Sequence, residues 1–292
     1  MTRIAACQLA LAVGRVDANR EAARTAIAQA AADGARLVVL PELTNSGYVF
    51  DGAGEARALA EHVTGPTVSG WVALARAHDL VIAGGFCELD DSGAVRNSSV
   101  LVDADGPRAV YRKAHLWADE QDCFLPGSAP PPVVDTAIGR IGLLICYDAE
   151  FPEWVRIPAL AGADVLAIAT NWPAEPSPPG ERNVLVVNVQ AAAYANHVFA
   201  AVADRCGRER GVDWVSGSVI VGPDGYPLTG PVLADRPTML VADCDLRQAR
   251  QKAVGPRNDI HADRRVELYG PGRSPGAAEP ASATNREWTT RG

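Results

Sequence analysis

One cysteine, Cys146, stands where a short apolar run ends and polar residues begin. Residues 141–145 are too few for a helix and show no alternation, so they predict a strand that is covered on both faces. Pro152 suits the first turn of a helix, because a backbone N–H would have no partner there in any case. We therefore expect Cys146 in a turn from strand to helix, where backbone N–H groups favour a thiolate nucleophile and an oxyanion beside it. A buried, inert thiol is the alternative, since free cysteine is among the most buried residue types.

Two charged residues, Glu42 and Lys113, follow other short apolar stretches, which predict strands at 36–40 and 109–113. Catalytic side chains of α/β folds collect at the carboxyl ends of strands. The residue type at 113 is informative, because only Lys113 and Lys252 are lysine among 27 basic residues. This position is therefore expected to need a compact ammonium with three donors rather than the flat fork of arginine. An exposed lysine without a role is the alternative.

Three segments around these residues resemble the signature segments of the nitrilase superfamily of carbon–nitrogen hydrolases. They are Pro41-Glu42-Leu43 with Ser46-Gly47-Tyr48, Tyr111-Arg112-Lys113 with Phe124-Leu125-Pro126-Gly127, and Cys146-Tyr147-Asp148 with Phe151-Pro152-Glu153. The resemblance runs from Ile4 to about Tyr269, and the three motifs stand in the family's order. Members of the family are similar in a second glutamate on the loop after the lysine, and Glu120 matches that position.

The resemblance implies an amidase that works through a Glu-Lys-Cys triad. Glu42 is predicted to be the general base for Cys146, while Lys113 and the backbone N–H of Tyr147 stabilise the tetrahedral oxyanion. The amine then leaves an acyl-thioester, and water activated by Glu42 releases the acid. Glu120 is predicted to orient Lys113 or the substrate nitrogen. No metal and no organic cofactor enter this scheme.

The residues after the cysteine favour one kind of substrate. Tyr147-Asp148 stands where nitrilases of the family usually carry Trp-Glu, so we expect amide rather than nitrile hydrolysis. Ala149-Glu150 stands where carbamoyl-D-amino-acid hydrolases carry arginines, which disfavours an anionic substrate. We therefore predict hydrolysis of a small aliphatic or amine-bearing amide to a carboxylic acid and ammonia. The predicted substrate contacts are Tyr48, Tyr147, Glu150, Asn171 and Trp172.

Three alternatives remain open at this point. An N-carbamoyl amine hydrolase or a nitrilase could use the same triad. A non-catalytic binding module of the same fold is the alternative from another class, although a scaffold has no need for all four of Glu42, Lys113, Glu120 and Cys146.

The remaining pattern predicts the elements that position these side chains. Strands and helices alternate in each half of the chain, and residues 164–170 form a further buried strand that ends before Asn171. Turn residues at 90–93 and 103–106 predict hairpins, so the sheets are mixed. Asn19 is predicted to cap a helix that ends near Ala32. Together these elements predict an α/β fold, a four-layer α-β-β-α sandwich with two mixed sheets.

The 292 residues are predicted to form one domain over 1–270, with a C-terminal arm from about 255 and a disordered tail at 271–292. The arm resembles the family segment that crosses onto a partner subunit, which implies a homodimer or a larger homo-oligomer. A formal net charge of −8 without a basic stripe speaks against nucleic-acid binding.

Cysteine spacing and the N-terminus bear on the compartment. The six cysteines are widely separated and form no C-x-x-C pair, so neither a zinc site nor a disulfide framework is expected. The N-terminus has no apolar signal region, and no apolar run is long enough to span a membrane. These features predict a cytoplasmic protein with reduced thiols and no membrane partner.

Overall fold

The computed structural model describes residues 1–174 and 176–269, which divide into a compact unit at Met1–Lys252 and a second unit that begins at Ala253. The predicted tail at 271–292 lies outside the described residues. The larger unit is built on two mixed sheets of seven and six strands.

The elements of the larger unit are as follows. The strands are β1 (Thr2–Ala10), β2 (Leu37–Val39), β3 (Val81–Leu89), β4 (Val95–Asp103), β5 (Gly106–Arg112), β6 (Val133–Thr136), β7 (Gly139–Ile145), β8 (Val165–Ala169), β9 (Phe199–Ala203), β10 (Arg205–Cys206), β11 (Arg208–Glu209), β12 (Val212–Asp213), β13 (Val219–Val221), β14 (Pro227–Thr229) and β15 (Thr238–Cys244). The helices are α1 (Val16–Ala32), α2 (Ala53–Leu59), α3 (Pro66–His78), α4 (Glu120–Cys123), α5 (Pro152–Leu160) and α6 (Val184–Asn196).

The first sheet has the order β10-β1-β2-β3-β4-β5, and β15 also pairs with β1. Strands β1, β2 and β3 are parallel, whereas β3, β4 and β5 form the two predicted hairpins. The second sheet has the order β14-β13-β9-β8-β7-β6, with a parallel centre of β7, β8 and β9. Strands β11 and β12 form a separate hairpin.

Alternating side chains of β1 show how the layers pack. Ala5 and Cys7 belong to a core that they share with the apolar faces of α1 and α3. Ile4 and Ala6 point the other way, into a core that contains the second sheet and apolar residues of α5 and α6. Successive strand residues face opposite sides of a sheet, so this alternation places helices outside each of two stacked sheets. The predicted α-β-β-α sandwich is confirmed.

The strand register brings several chain segments to one edge. Ile145 of β7 pairs with Ala169 of β8, and Ala169 pairs with Ala203 of β9. The residues that follow, including Cys146 and Thr170, therefore leave neighbouring parallel strands side by side. The backbone N–H of Glu42, which follows β2 in the other sheet, reaches the Thr170 carbonyl at 3.4 Å.

The predicted start of α1 is wrong, because the helix begins at Val16 and Asn19 lies inside it. The Asn19 amide accepts from the Ala12 backbone N–H at 3.0 Å and donates to the carbonyl of Asn45 at 3.1 Å. Asn19 is buried, and its side chain ties two loops together instead of capping the helix.

The second unit contains an antiparallel pair, β16 (Ala253–Gly255) and β17 (Asn258–Asp259), and a short 3₁₀ helix at Val266–Leu268. Its role as an arm that reaches a partner subunit stays a prediction. Among residues 1–174 and 176–269, no helix is both long enough and apolar enough to cross a membrane.

Candidate active site

Glu42 lies three residues beyond β2 and is fully buried. Its Oε1 accepts from Lys113 Nζ at 2.8 Å and from Asn97 Nδ2 at 2.7 Å. Its second oxygen, Oε2, has no hydrogen-bond partner among the described residues. Burial raises the pKa of Glu42 to about 7, the ammonium of Lys113 opposes this rise, and the charge of Glu120 adds to it.

Lys113 directly follows β5 and is enclosed between two carboxylates. Its Nζ donates to Glu42 Oε1 at 2.8 Å and to Glu120 Oε1 at 2.7 Å. Burial lowers the pKa of Lys113, but the charges of Glu120 and Glu42 outweigh burial and hold this pKa well above its usual value. The site therefore keeps a cation in a place from which water is excluded.

Glu120 opens α4 and is used on both oxygens. Besides Lys113, its Oε1 accepts from the Tyr48 hydroxyl at 2.7 Å, and its Oε2 accepts from the Trp117 backbone N–H at 3.1 Å. These bonds fix the carboxylate that in turn fixes the lysine.

Cys146 begins a 3₁₀ helix at Cys146–Glu150, which lies between β7 and α5 as the sequence predicted for a turn from strand to helix. Its backbone φ is +46°, a left-handed conformation that a residue with a side chain adopts at an energetic cost. Its Sγ lies 3.9 Å from the Asn171 carbonyl. Burial and the charge of Glu42 raise the pKa of the Cys146 thiol well above its usual value, against the smaller effects of Lys113 and the Thr170 hydroxyl. A raised pKa favours the protonated thiol, so the thiolate expected from the position of Cys146 in this turn is not the resting form.

Asn97 is a site residue that the sequence analysis did not single out. It lies on β4, is buried, and donates to Glu42 Oε1 at 2.7 Å and to Glu120 Oε1 at 3.4 Å. Its backbone carbonyl also accepts from the Lys113 N–H at 2.9 Å. The sequence does contain a signal for this residue, because Asn97 and the two serines after it are polar residues at the start of a predicted buried strand.

Three of the predicted substrate contacts, Tyr48, Tyr147 and Asn171, touch residues of the site. The Tyr48 hydroxyl binds Glu120, and the Tyr147 ring meets the edge of Trp117 with centroids 4.9 Å apart. Asn171 is buried and donates from Nδ2 to the Glu42 carbonyl at 2.9 Å, while its Oδ1 has no partner among the described residues.

The structure places the other two elsewhere. Trp172 is buried in the core, where its ring packs on Gly217, and its backbone N–H donates to Asp204 at 3.0 Å. Glu150 is exposed at the end of the 3₁₀ helix. Substrate contact by Trp172 and Glu150 stays a prediction.

Asp148 supports the loop that follows Lys113. Its Oδ1 lies 2.7 Å from His115 Nδ1, and its Oδ2 accepts from the Tyr111 hydroxyl at 2.7 Å. The His115 ring stacks on Phe151 with centroids 3.9 Å apart. These contacts tie the loop after Lys113 to the segment that carries the cysteine.

A cavity of about 210 Å³ opens beside Glu120 and Tyr48. Its wall is mainly aromatic and apolar, with contributions from Phe50, Trp117, Phe124, Pro173, Val212 and Trp214. The charged side chains among its described lining residues are Asp119 and Glu120, and both are acidic. Across residues 1–174 and 176–269, no group of three or more histidine, cysteine or acidic side chains is arranged to hold a metal ion.

Comparison with known proteins agrees with this geometry. Residues 3–253 match the carbon-nitrogen hydrolase family. The chain is 34% identical over 270 residues to a nitrilase of Pyrococcus abyssi, covering 92% of this chain and 99% of the relative. It is 36% identical over 270 residues to an (R)-stereoselective amidase of Pseudomonas sp., covering 92% and 93%.

A solved amidase from Nesterenkonia sp. AN1 shares the fold, with a TM-score of 0.76 and 30% identity over 92% of this chain and 98% of that one. Structures of variants of that enzyme contain acrylamide added at the active-site cysteine, or bound butyramide. The predicted fold and the predicted amidase-type enzyme are confirmed at the level of the family. The chain belongs to the carbon-nitrogen hydrolase family.

Proposed function

We propose that this protein hydrolyses small, neutral amides to carboxylic acids and ammonia, with Cys146 as nucleophile and Glu42 as general base. The observation that carries the proposal is the second oxygen of Glu42, which is buried and has no hydrogen-bond partner among the described residues. Burial and, after it, the charge of this carboxylate raise the pKa of the Cys146 thiol, so the thiol needs a base that can take its proton. A carboxyl group with a pKa of about 7 is well suited to move protons at neutral pH.

In the first step, the Glu42 carboxylate takes the proton of the Cys146 thiol as the sulfur attacks the amide carbonyl carbon. Lys113 Nζ and the backbone N–H of Tyr147 stabilise the charge on the carbonyl oxygen of the tetrahedral intermediate. Because two carboxylates already hold Lys113 in place, it needs little rearrangement when that charge develops.

In the second step, the C–N bond breaks and the protonated Glu42 gives its proton to the leaving nitrogen, so ammonia departs from an acyl-thioester. Glu42 then takes a proton from water as the water oxygen attacks the thioester carbonyl. The C–S bond breaks, the thiol recovers its proton from Glu42, and the carboxylic acid is released. Glu120 keeps Lys113 oriented throughout, with Tyr48 fixing Glu120.

The cavity supports a neutral, apolar substituent on the substrate. Its aromatic wall favours burial of apolar groups, and its acidic residues, Asp119 and Glu120, repel a carboxylate. Amides are also the ligands seen with the Nesterenkonia enzyme, which is similar over nearly its whole length. A carbamoyl compound or a nitrile is the alternative substrate of the same residues.

Ammonia release from aliphatic amides, aminoamides, N-carbamoyl amines, N-carbamoyl amino acids and nitriles tests the proposal. We expect aliphatic amides to react fastest and Cys146→Ala to abolish release. Cys244→Ala is the matched control, because Cys244 is a free, buried cysteine at the end of β15 and is not among the described residues of the cavity wall; it should retain turnover. Faster turnover of carbamoyl amino acids or nitriles would overturn the substrate assignment, while equal activity of Cys146→Ala would overturn the nucleophile.

The same proposal includes the wider organisation predicted from the sequence: one domain over residues 1–270, assembled as a cytoplasmic homodimer or larger homo-oligomer. Its support is the resemblance of the segment after residue 255 to the family's arm and the scattered cysteines. Light scattering on the full chain tests the assembly, and a monomer mass would overturn it.

A further inference from the structure

A buried ion pair, Arg205 with Glu209, lies outside the charged cluster and has no part in the proposed chemistry. Arg205 Nη1 and Nη2 each donate to one Glu209 oxygen at 3.0 Å. The side chains are 0% and 3% exposed. Burying two charges is costly, and removing one partner of such a pair typically costs several kcal/mol. We therefore expect this ion pair to have a role that its burial serves.

Glu209 also accepts hydrogen bonds from the backbone of the loop that carries Tyr48. Its Oε2 accepts from the N–H groups of Tyr48 and Val49 at 2.9 and 2.8 Å, and its Oε1 accepts from Val13 at 2.6 Å. Gly47 sits against this junction with a φ of +80°, and a Cβ there would lie 2.3 Å from the Val13 backbone and 2.7 Å from Glu209 Oε1. The backbone at Gly47 therefore packs so tightly against Glu209 and Val13 that a larger side chain would not fit.

Arg205 also contacts Tyr48 indirectly, through the ring of Trp214. Its guanidinium lies 4.4 Å from the ring centroid of Trp214, and the edge of that ring meets Tyr48 with centroids 5.5 Å apart. Trp214, Tyr48 and Val49 all line the cavity. The ion pair therefore holds Tyr48 by its backbone through Glu209 and by its ring through Trp214.

We infer that Arg205 and Glu209 are positioning residues that act through Tyr48, fixing the cavity wall and the hydroxyl that holds Glu120. This inference rests on the proposed amide hydrolysis at Cys146. The effect of the ion pair passes from Glu209 to Tyr48, then to Glu120 at 2.7 Å and to Lys113 at 2.7 Å. A purely structural pair would stabilise the fold without such a connection.

A double-mutant cycle on kcat/KM for an aliphatic amide tests the inference, using Glu209→Gln, Tyr48→Phe and the double variant. Tyr48→Phe removes only the hydroxyl and is expected to lower kcat/KM about 10-fold, and Glu209→Gln about 10- to 100-fold. If Glu209 acts through Tyr48, the double variant falls no further than Glu209→Gln alone, because the hydroxyl is already misplaced. A loss equal to the product of the single losses overturns the inference.

Asp164→Asn is the matched control. Asp164 is buried and forms a two-pronged pair with Arg250 at 2.9 Å, at the start of β8 and away from the cluster. Asp164→Asn should lower thermal stability. Any loss of kcat/KM that it causes should multiply with the loss caused by Tyr48→Phe, because the two residues are not connected. If Glu209→Gln does not fold, Arg205→Lys replaces it in the cycle, since lysine keeps the buried cation but loses the fork.

The proposed function and the inference fail differently. If the wild type releases ammonia, Cys146→Ala does not, and the losses in kcat/KM of Glu209→Gln and Tyr48→Phe multiply in the double variant, the inference alone is overturned. A wild-type protein that hydrolyses no amide overturns both.

Discussion

Lys113 Nζ binds only one oxygen of Glu42, Oε1, at 2.8 Å, and the second oxygen has no hydrogen-bond partner among the described residues. A buried carboxylate oxygen without a partner is energetically unfavourable, so native structures usually satisfy it. Here the lysine and the amide of Asn97 hold the carboxylate in place while one oxygen stays available for a proton. The proposed base is thus held in place with one oxygen positioned to take a proton.

Glu42→Gln should abolish the proton transfer while keeping the shape of the site. We expect kcat to fall by about 10²- to 10⁴-fold, since this is the usual contribution of a general base. Steady-state ammonia release measures the loss, and thermal melting checks the fold. Glu21→Gln, at an exposed ion pair with Arg24, should leave turnover unchanged. Retention of most activity in Glu42→Gln would contradict the role of the base.

Lys113→Arg should keep the charge and lose about 100-fold or more in kcat/KM. The lysine occupies a closed site with bonds of 2.8 and 2.7 Å, and the longer planar guanidinium does not reproduce them. Lys252→Arg is the matched control, because its ammonium donates to the carbonyls of Asn196 and His197 away from the cluster. Near-normal rates in Lys113→Arg would show that any cation suffices there.

The pH dependence of kcat/KM should show an acidic limb with an apparent pKa near 7, with activity rising as pH rises. Burial raises the pKa of Glu42 to about 7, and the base works only when deprotonated. Because the pKa of Cys146 and that of Lys113 both lie well above their usual values, neither group loses its proton near neutrality. Initial rates between about pH 5 and pH 9 measure this limb.

Two substitutions should move that limb in opposite directions. The charge of Glu120 raises the pKa of Glu42, whereas the hydrogen bond from Asn97 lowers it. Glu120→Gln should therefore shift the acidic limb to lower pH, and Asn97→Ala should shift it to higher pH, in both cases at reduced rate. A limb that stays in place in both variants would assign it to a group other than Glu42.

The sequence predicted the parts of the site whose signal is local. Glu42, Lys113 and Cys146 each follow a short apolar strand, and the hairpins that bring β5 beside β4 have recognisable turn residues. Trp172 also follows such a strand, but its burial could not be predicted from that position, since position at a strand end does not reveal where a side chain points. Its contact with the substrate stays a prediction.

The parts that escaped prediction depend on contacts between distant segments. Asn97 looks like an ordinary polar residue until β4 places it 2.7 Å from Glu42. Arg205 and Glu209 are two charges among many in the sequence, and only burial distinguishes them. Asn19 has the residue type of a helix cap, but its tertiary hydrogen bonds to loops outweighed that local preference.

The left-handed backbone at Cys146 should be measurable as strain. Its φ of +46° costs an ordinary residue about 1–2 kcal/mol, which glycine avoids, although glycine also gains entropy in the unfolded chain. Cys146→Gly should therefore be more stable than Cys146→Ala by about 1 kcal/mol in urea unfolding, and both should be inactive. An alanine variant as stable as the glycine variant would show that the turn is not strained.

The mass of the Cys146 peptide, measured after turnover of propionamide is stopped with acid, tests the proposed acyl-thioester most directly. We expect a propionyl group on this peptide, formed with release of ammonia, and none on the corresponding peptide of Cys146→Ala. The proposed mechanism would be contradicted if Cys146→Ala hydrolysed propionamide at the wild-type rate and no cysteine peptide of the wild type carried an acyl group.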